Sequence, residues 1–254
     1  MKNEELLEEL FCIKFETKAL ADIYFRNEAE RWVHSIIHEK NESEHIDRYN
    51  FVKKFTYNKK VLDIACGSGY GSYLIATEGK AKEVIGIDLN SDSIRYGNHR
   101  FSNAFLKRFV GDAQEYIVES EFDVIVSFET IEHLPKYKQF LENMSKSLKN
   151  DGHFYVSTPI VKKTRTNCVN PFHVIEWSFE DFHKLINENF NIEEIYLQHI
   201  NYKNIKPRKT FFAKLFQNIT LKFYKPIIFE KYTKQISINK IKKGYQILKC
   251  SKKQ

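Results

Sequence analysis

The stretch Val61-Leu62-Asp63-Ile64-Ala65-Cys66-Gly67-Ser68-Gly69-Tyr70-Gly71 decides the fold. A short apolar run, Val61–Ala65, ends in a glycine-rich turn, and Ser72–Glu78 then carries helical spacing. Glycine directly after a strand lets the backbone adopt positive φ and lets a ligand come close to it. The helix that follows offers free N–H groups and a positive dipole end to that ligand. A lone GxG would also suit a dinucleotide fold. Here the spacing is GxGxG followed by Ser72, and Asp63 stands four residues before Gly67, where a dinucleotide fold carries an apolar strand residue.

Strands and helices alternate outward from this point. Further strands are read at Glu83–Asp88, Phe105–Val110, Phe122–Ser127, His153–Thr158, Phe190–His199 and Gly244–Cys250. Helices are read at Tyr137–Leu148, closed by Asn150-Asp151-Gly152, and at Phe179–Asn189, where Ser178 is a good N-cap. The pattern predicts an α/β fold with a doubly wound, mainly parallel, seven-stranded sheet. Residues 1–58 read as an N-terminal helical segment capping the ligand site. Leu6, Leu7, Leu10 and Phe11 form one short apolar face, and Trp32, Val33, Ile36 and Ile37 form another. Residues 59–254 make the main domain.

Composition sets outer bounds. A hydrophobic fraction of 42% supports a real core, and nine Gly and five Pro exclude a low-complexity chain. There is no 18-residue apolar run, so no membrane-spanning helix is expected. Met1–Leu10 alternates Glu with Leu and does not read as a signal peptide. Cys12, Cys66, Cys168 and Cys250 form no CxxC pair, which argues against a zinc site and for a reducing, cytoplasmic setting. Charge is uneven. Residues 201–243 hold 12 Lys/Arg against Glu230 alone, a net of +11, while the whole chain is +7, so the remainder stands at −4. This basic stretch is read as a helical insertion before the last strand. Phe212, Leu215, Phe216, Ile219 and Phe223 share one face of it. Local packing, an anionic membrane surface, nucleic acid and a dimer contact are all open roles for it.

The glycine-rich string resembles the first motif of class I S-adenosylmethionine (SAM) dependent methyltransferases, from about Glu44 to Gln198 and again over the last strand. The resemblance implies that Asp63, Ala65, Gly67 and Gly69 hold the methionine part of SAM. It implies that Asp88, in Ile85-Gly86-Ile87-Asp88-Leu89, grips both ribose hydroxyls, and that Asp112, in Gly111-Asp112-Ala113, contacts the adenine amine. Leu89, Ala113, Ser127 and Tyr49 complete the expected cofactor site.

Strand four ends in Ser127-Phe128-Glu129-Thr130-Ile131-Glu132-His133-Leu134. If this continues as a helix, Glu129, Glu132 and His133 fall on successive turns and converge. The ExxEH string resembles one used by methyltransferases of RNA ribose hydroxyls and of catechol-type rings. There the carboxylates and the His bind a divalent ion together with a second His from a later loop. His173, in Asn170-Pro171-Phe172-His173, is the matching residue here. The expected metal set is Glu129, Glu132, His133 and His173, with Mg²⁺ or Mn²⁺ activating the acceptor hydroxyl. Two other readings stand beside it: His133 as a metal-free general base, with Glu129 and His173 in support, or a helix start with no chemistry. The strings around Arg48-Tyr49 and Asn170–Trp177 resemble methyltransferases associated with bacterial surface polysaccharides. They place Arg48 and Tyr49 at the SAM pocket and Trp177 beside the acceptor. The leading expectation is therefore O-methylation of a sugar or nucleotide-sugar. RNA methylation and a non-catalytic SAM-binding subunit are the alternatives.

Overall fold

The computed structural model describes residues 2–21, 33–34, 39–200, 227–238, 241 and 244–253. Two helices come first, α1 (Lys2–Ala21) and α2 (Glu39–Val52). The elements β1 (Lys60–Ile64), α3 (Tyr70–Thr77), β2 (Glu83–Asp88), α4 (Ser91–Arg100), β3 (Leu106–Val110) and β4 (Phe122–Phe128) follow. The chain continues through α5 (Tyr137–Ser147), β5 (Leu148–Pro159), α6 (Phe179–Ile186), β6 (Phe190–Ile200), β7 (Ile227–Lys231) and β8 (Gly244–Lys252).

The strands form one sheet in the order β3-β2-β1-β4-β5-β8-β6-β7. From β3 to β5 every pairing is parallel. β8 runs antiparallel to both β5 and β6, and β7 antiparallel to β6. Central β1 and β4 are buried along nearly all their length, because helices cover both faces of a parallel sheet. One core layer gathers Leu62, Ile125, Phe140, Met144, Phe154 and Phe182. The other gathers Val61, Ile75, Val124, Val126, Tyr155 and Ile247 with Tyr49 and Val52 of α2. The chain winds from β1 to β2 and β3 on one side and resumes at β4 on the other. A crevice therefore opens at the C-terminal ends of β1 and β4, where such folds bind ligands.

Three expectations are corrected. Among the described residues the sheet has eight strands, not seven: β7 lies inside the stretch read as a helical insertion. Ile228 and Phe229 give it strand character, and it pairs with Tyr196–Ile200. Residues 201–226, including the amphipathic pattern Phe212–Phe223, lie outside the described residues, as do Trp32, Ile36 and Ile37. The helix expected to run to Leu148 stops at Ser147, and β5 begins at Leu148, five residues before the expected His153. An irregular register beside Phe122 absorbs the Asn150-Asp151-Gly152 turn. The apolar face of α1 is divided. Phe11 packs with Cys12, Phe15, Tyr96 and Phe101, while Leu6, Leu7 and Leu10 are 58, 62 and 54% exposed. Arg95 and Arg100 of α4 pair with Glu8 and Glu9 of α1 and fix which face turns inward.

Candidate active site

The turn after β1 passes through the left-handed region at Ala65 (φ 61°), Gly67 (φ 57°) and Gly69 (φ 81°). A Cβ on Gly67 would meet nothing within 4 Å, so its hydrogen faces the open crevice. A Cβ on Gly69 would come 2.2 Å from Nε of Arg108, so there glycine is required by a close approach as well as by φ. Arg108, buried on β3, donates to the carbonyls of Gly69 (2.9 Å), Phe101 (3.0 Å) and Gly97 (3.1 Å). It thereby ties the turn to α4. Sequence reasoning missed this residue, because Lys107-Arg108 on an edge strand reads as a solvated face.

A cavity of about 490 Å³ occupies the crevice, within the range of small-molecule sites. Ala65, Gly67, Asp88, Leu89, Asp112 and Ala113 line one end of it, and Tyr49, Phe128, Glu129 and His133 line the other. His45 and Val33 reach it from the N-terminal segment. Asp88 ends β2 with its carboxylate aimed across the turn: Oδ2 accepts from Gly67 N–H (2.8 Å) and Oδ1 from Asn90 N–H (2.9 Å). Asp112 accepts from Gln114 N–H at 2.8 Å. Leu89, 72% exposed beside Asp88, offers an apolar face to a planar ring.

Asp63, Gly69 and Ser127 stand buried behind this lining. The Asp63 carboxylate accepts from Ser72 Oγ (2.6 Å) and Tyr49 OH (3.1 Å), so it braces α2 and α3 against β1. Burial pushes its pKa up to about 6, against the lowering effect of those two hydrogen bonds. Arg48 and Trp177, placed at the site by sequence reasoning, are core residues. Arg48 is fully buried, bonded to Gln198 (2.6 Å) and set over the Tyr245 ring. Trp177 packs against Tyr137 and Phe182.

Beyond β4 the chain does not enter an α-helix directly. Glu129 takes positive φ (54°), and Ile131–His133 form a single 3₁₀ turn. The two carboxylates then anchor on consecutive hydroxyls of β5. Glu129 Oε1 accepts from Ser157 Oγ (2.6 Å), and Glu132 Oε2 accepts from Thr158 Oγ1 (3.2 Å). The two carboxylates are thus anchored on different hydroxyls, though close enough for each to feel the other's charge. Glu132 is drawn to His133 and His173: one ligand atom from each of the three lies within 4.8 Å of the others. The His133 and His173 rings are 4.7 Å apart, nearly perpendicular. His173 arrives there because Val174 N–H (2.8 Å) and Ile175 N–H (3.3 Å) both donate to the Glu132 carbonyl. Glu129 is not part of this trio; it faces the cavity bonded to Ser157.

Both carboxylates are buried. Burial raises the Glu129 pKa, with Arg48 opposing, and burial plus the Glu129 charge holds Glu132 well above the usual carboxylate range. Glu132 Oε1 has no hydrogen-bond partner among the described residues. A buried carboxylate with an open oxygen, close to two imidazoles, could hold a divalent cation, which would supply the missing partner.

The family model described as "Methyltransferase domain" matches residues 55–208. Over 141 residues the chain is 31% identical to a probable SAM-dependent methyltransferase of Mycolicibacterium smegmatis, covering 54% of this chain and 53% of that protein. It is 30% identical over 139 residues to the ubiquinone biosynthesis O-methyltransferase of Idiomarina loihiensis, covering 51% and 56%. The chain thus spans about half the length of the curated relatives it matches. A SAM-dependent methyltransferase from Mesorhizobium loti superposes with a TM-score of 0.58 at 12% identity, over 84% of this chain and 99% of that one, a likeness of fold.

Proposed function

The chain belongs to the methyltransferase-domain family, and from that premise we propose that it transfers the methyl group of SAM to a hydroxyl of a small polar acceptor. A sugar or nucleotide-sugar destined for a bacterial surface glycan is our preferred acceptor. The observation that carries this reading is one cavity lined by the carboxylate of Asp88 as well as by Glu129 and His133. Its size supports one cofactor beside a small acceptor better than an RNA chain. The relative named as an O-methyltransferase supports oxygen as the target.

SAM supplies an already activated methyl, so the chain's own residues bind, orient and handle one proton. Asp88 takes both ribose hydroxyls while the Gly67 N–H keeps its carboxylate aimed. Leu89, Ala113 and Asp112 form the adenine end. Ala65 and Gly67 present the turn backbone to the amino-acid end, and buried Asp63 braces that turn through β1, α2 and α3. His133 receives the acceptor proton. Its Nδ1 lies 3.2 Å from the Phe172 carbonyl, which can only accept, so Nδ1 bears the hydrogen and Nε2 the basic lone pair. In the alternative, cation-dependent reading His133 Nε2 is a ligand and not the base: Glu132, His133 and His173 would hold a divalent cation that lowers the pKa of the acceptor hydroxyl. Two imidazoles and one carboxylate suit Mn²⁺ better than Mg²⁺.

The direct test is incubation of the protein with methyl-labelled SAM and a panel of nucleotide-sugars, with products read by mass spectrometry. A methyl ether on any of them supports the proposal. Methylation confined to RNA would overturn the acceptor class, and failure to bind SAM would overturn the whole reading.

A further inference from the structure

The cluster beside the cavity contains a second layer of residues. Glu176 is 6% exposed at its side chain and lies three residues after His173. Its Oε1 is 2.8 Å from His173 Nδ1. Its Oε2 receives both Nε (2.6 Å) and Nη2 (2.5 Å) of Arg165, so the two oxygens divide the work. The backbones of Arg165 and Glu176 also bond reciprocally, each N–H 2.9 Å from the other's carbonyl. The pair is thus held by three hydrogen bonds and an ion-pair contact before His173 is considered.

The tautomer of His173 follows from two independent constraints. A carboxylate paired with Arg165 is an acceptor, so His173 Nδ1 bears the proton. At the opposite ring nitrogen, Asn170 Oδ1 already accepts from Phe172 N–H (3.1 Å), which turns the Asn170 amide nitrogen toward His173 Nε2 at 3.0 Å. That amide can only donate, so Nε2 carries the lone pair. Both ends of the ring give the same answer. Carboxylate–imidazole pairs of this kind orient metal-binding histidines and fix their tautomer.

We propose that Glu176, clamped by Arg165, is a positioning residue that locks His173 as the Nδ1–H tautomer and so presents its Nε2 lone pair to a divalent cation shared with Glu132 and His133. This rests on the cation reading of that trio. Asn170 occupies the lone pair when the cation is absent and yields it when the cation binds.

The test uses the full chain and two readouts other than activity: long-range ¹H–¹⁵N spectra of His173 in metal-free protein, and Mn²⁺ titration by calorimetry. The parent should show a protonated Nδ1 and bind Mn²⁺. Glu176→Ala should release His173 into a tautomer mixture and weaken Mn²⁺ binding by roughly 10–100-fold, the usual effect of losing such a partner. Glu176→Gln, which keeps an acceptor oxygen, should restore the tautomer and most of the affinity. If Glu176→Ala fails to fold, Arg165→Met loosens the clamp from a more exposed position and should move both readouts the same way. An Nε2–H tautomer in the parent, or an unchanged tautomer and Mn²⁺ affinity in Glu176→Ala, overturns the proposal. A tautomer shift in Glu176→Ala with no Mn²⁺ binding by the parent supports the positioning role and overturns the cation reading beneath it.

Discussion

Replacing Asp88 by Ala isolates the contact on which the cofactor assignment depends most. In the structure each Asp88 oxygen already accepts one backbone N–H, from Gly67 at 2.8 Å and Asn90 at 2.9 Å. Each keeps a second acceptor site for a ribose hydroxyl. Hydrogen bonds to a charged group contribute about 1.5–3 kcal/mol each. Two would give about 3–6 kcal/mol if nothing compensated. Water in the vacated space recovers part of this, so the expected loss is about 3 kcal/mol, roughly 10²-fold in Kd. Calorimetric titration with SAM measures it. Methylthioadenosine, which keeps the ribose but lacks the amino-acid arm, serves as the control. If Asp88 acts on the ribose, both ligands lose the same factor. If its main task is to hold the Gly67 turn, SAM loses more than the nucleoside. Unchanged SAM affinity in a folded Asp88→Ala protein, or tight NAD binding by the parent, would refute the assignment.

Asp63 titrates with a folded-state pKa of about 6, above its ordinary 3.8. The stability it lends is therefore fully present below about pH 4 and lost as pH rises through about 6. In urea unfolding across this window Asp63→Asn should remove a slope worth up to about 3 kcal/mol, and an identical pH profile would show that the carboxyl is not desolvated. EDTA should abolish turnover and Mn²⁺ restore it; turnover indifferent to EDTA would leave His133 as a metal-free base. His133→Ala should lose about 10²–10⁴ in rate while still binding SAM, and full activity would exclude it from proton transfer. If the basic stretch 201–243 is a surface tether, the protein should float with anionic liposomes at low salt and detach as salt rises. No flotation at low salt removes that role.

The sheet from β1 to β5 was legible because buried parallel strands are continuous apolar runs between turn signals, as at Phe122–Ser127. Asp88 and Asp112 were placed by the family resemblance and the glycine turn by its spacing after β1, and Gly67, Asp88 and Asp112 line one cavity. β7 was hidden: Ile227-Ile228-Phe229 sits in a lysine-rich stretch whose charge pattern dominates the reading, and its partner β6 is distant in sequence. The ExxEH string was read with helical spacing. The positive φ of Glu129 and the Ser157 and Thr158 hydroxyls decide where its side chains go, and neither is a local property of that string. Leu6, Leu7, Leu10 and Phe11 look alike in sequence. The pairing of α1 with α4, through Arg95, Arg100 and the Tyr96 ring, sets which of them faces inward.

β8 has a consequence for how the chain is made. Among the described residues, the backbone pairing that joins β6 and β7 to the rest of the sheet runs through β8, which lies between β5 and β6. On the ribosome, the strands from β1 to β5 can pair with one another as soon as residue 159 has emerged, since their parallel partners are already synthesised. β6 emerges next and lacks its partner β8 until Gly244–Lys252 has followed it. For that interval an apolar strand containing Ile192, Ile195 and Leu197 is without its principal neighbour, and β5 presents an open edge beside it. Nascent chains paused before β8 should therefore be the form that chaperones hold longest and that aggregates most readily.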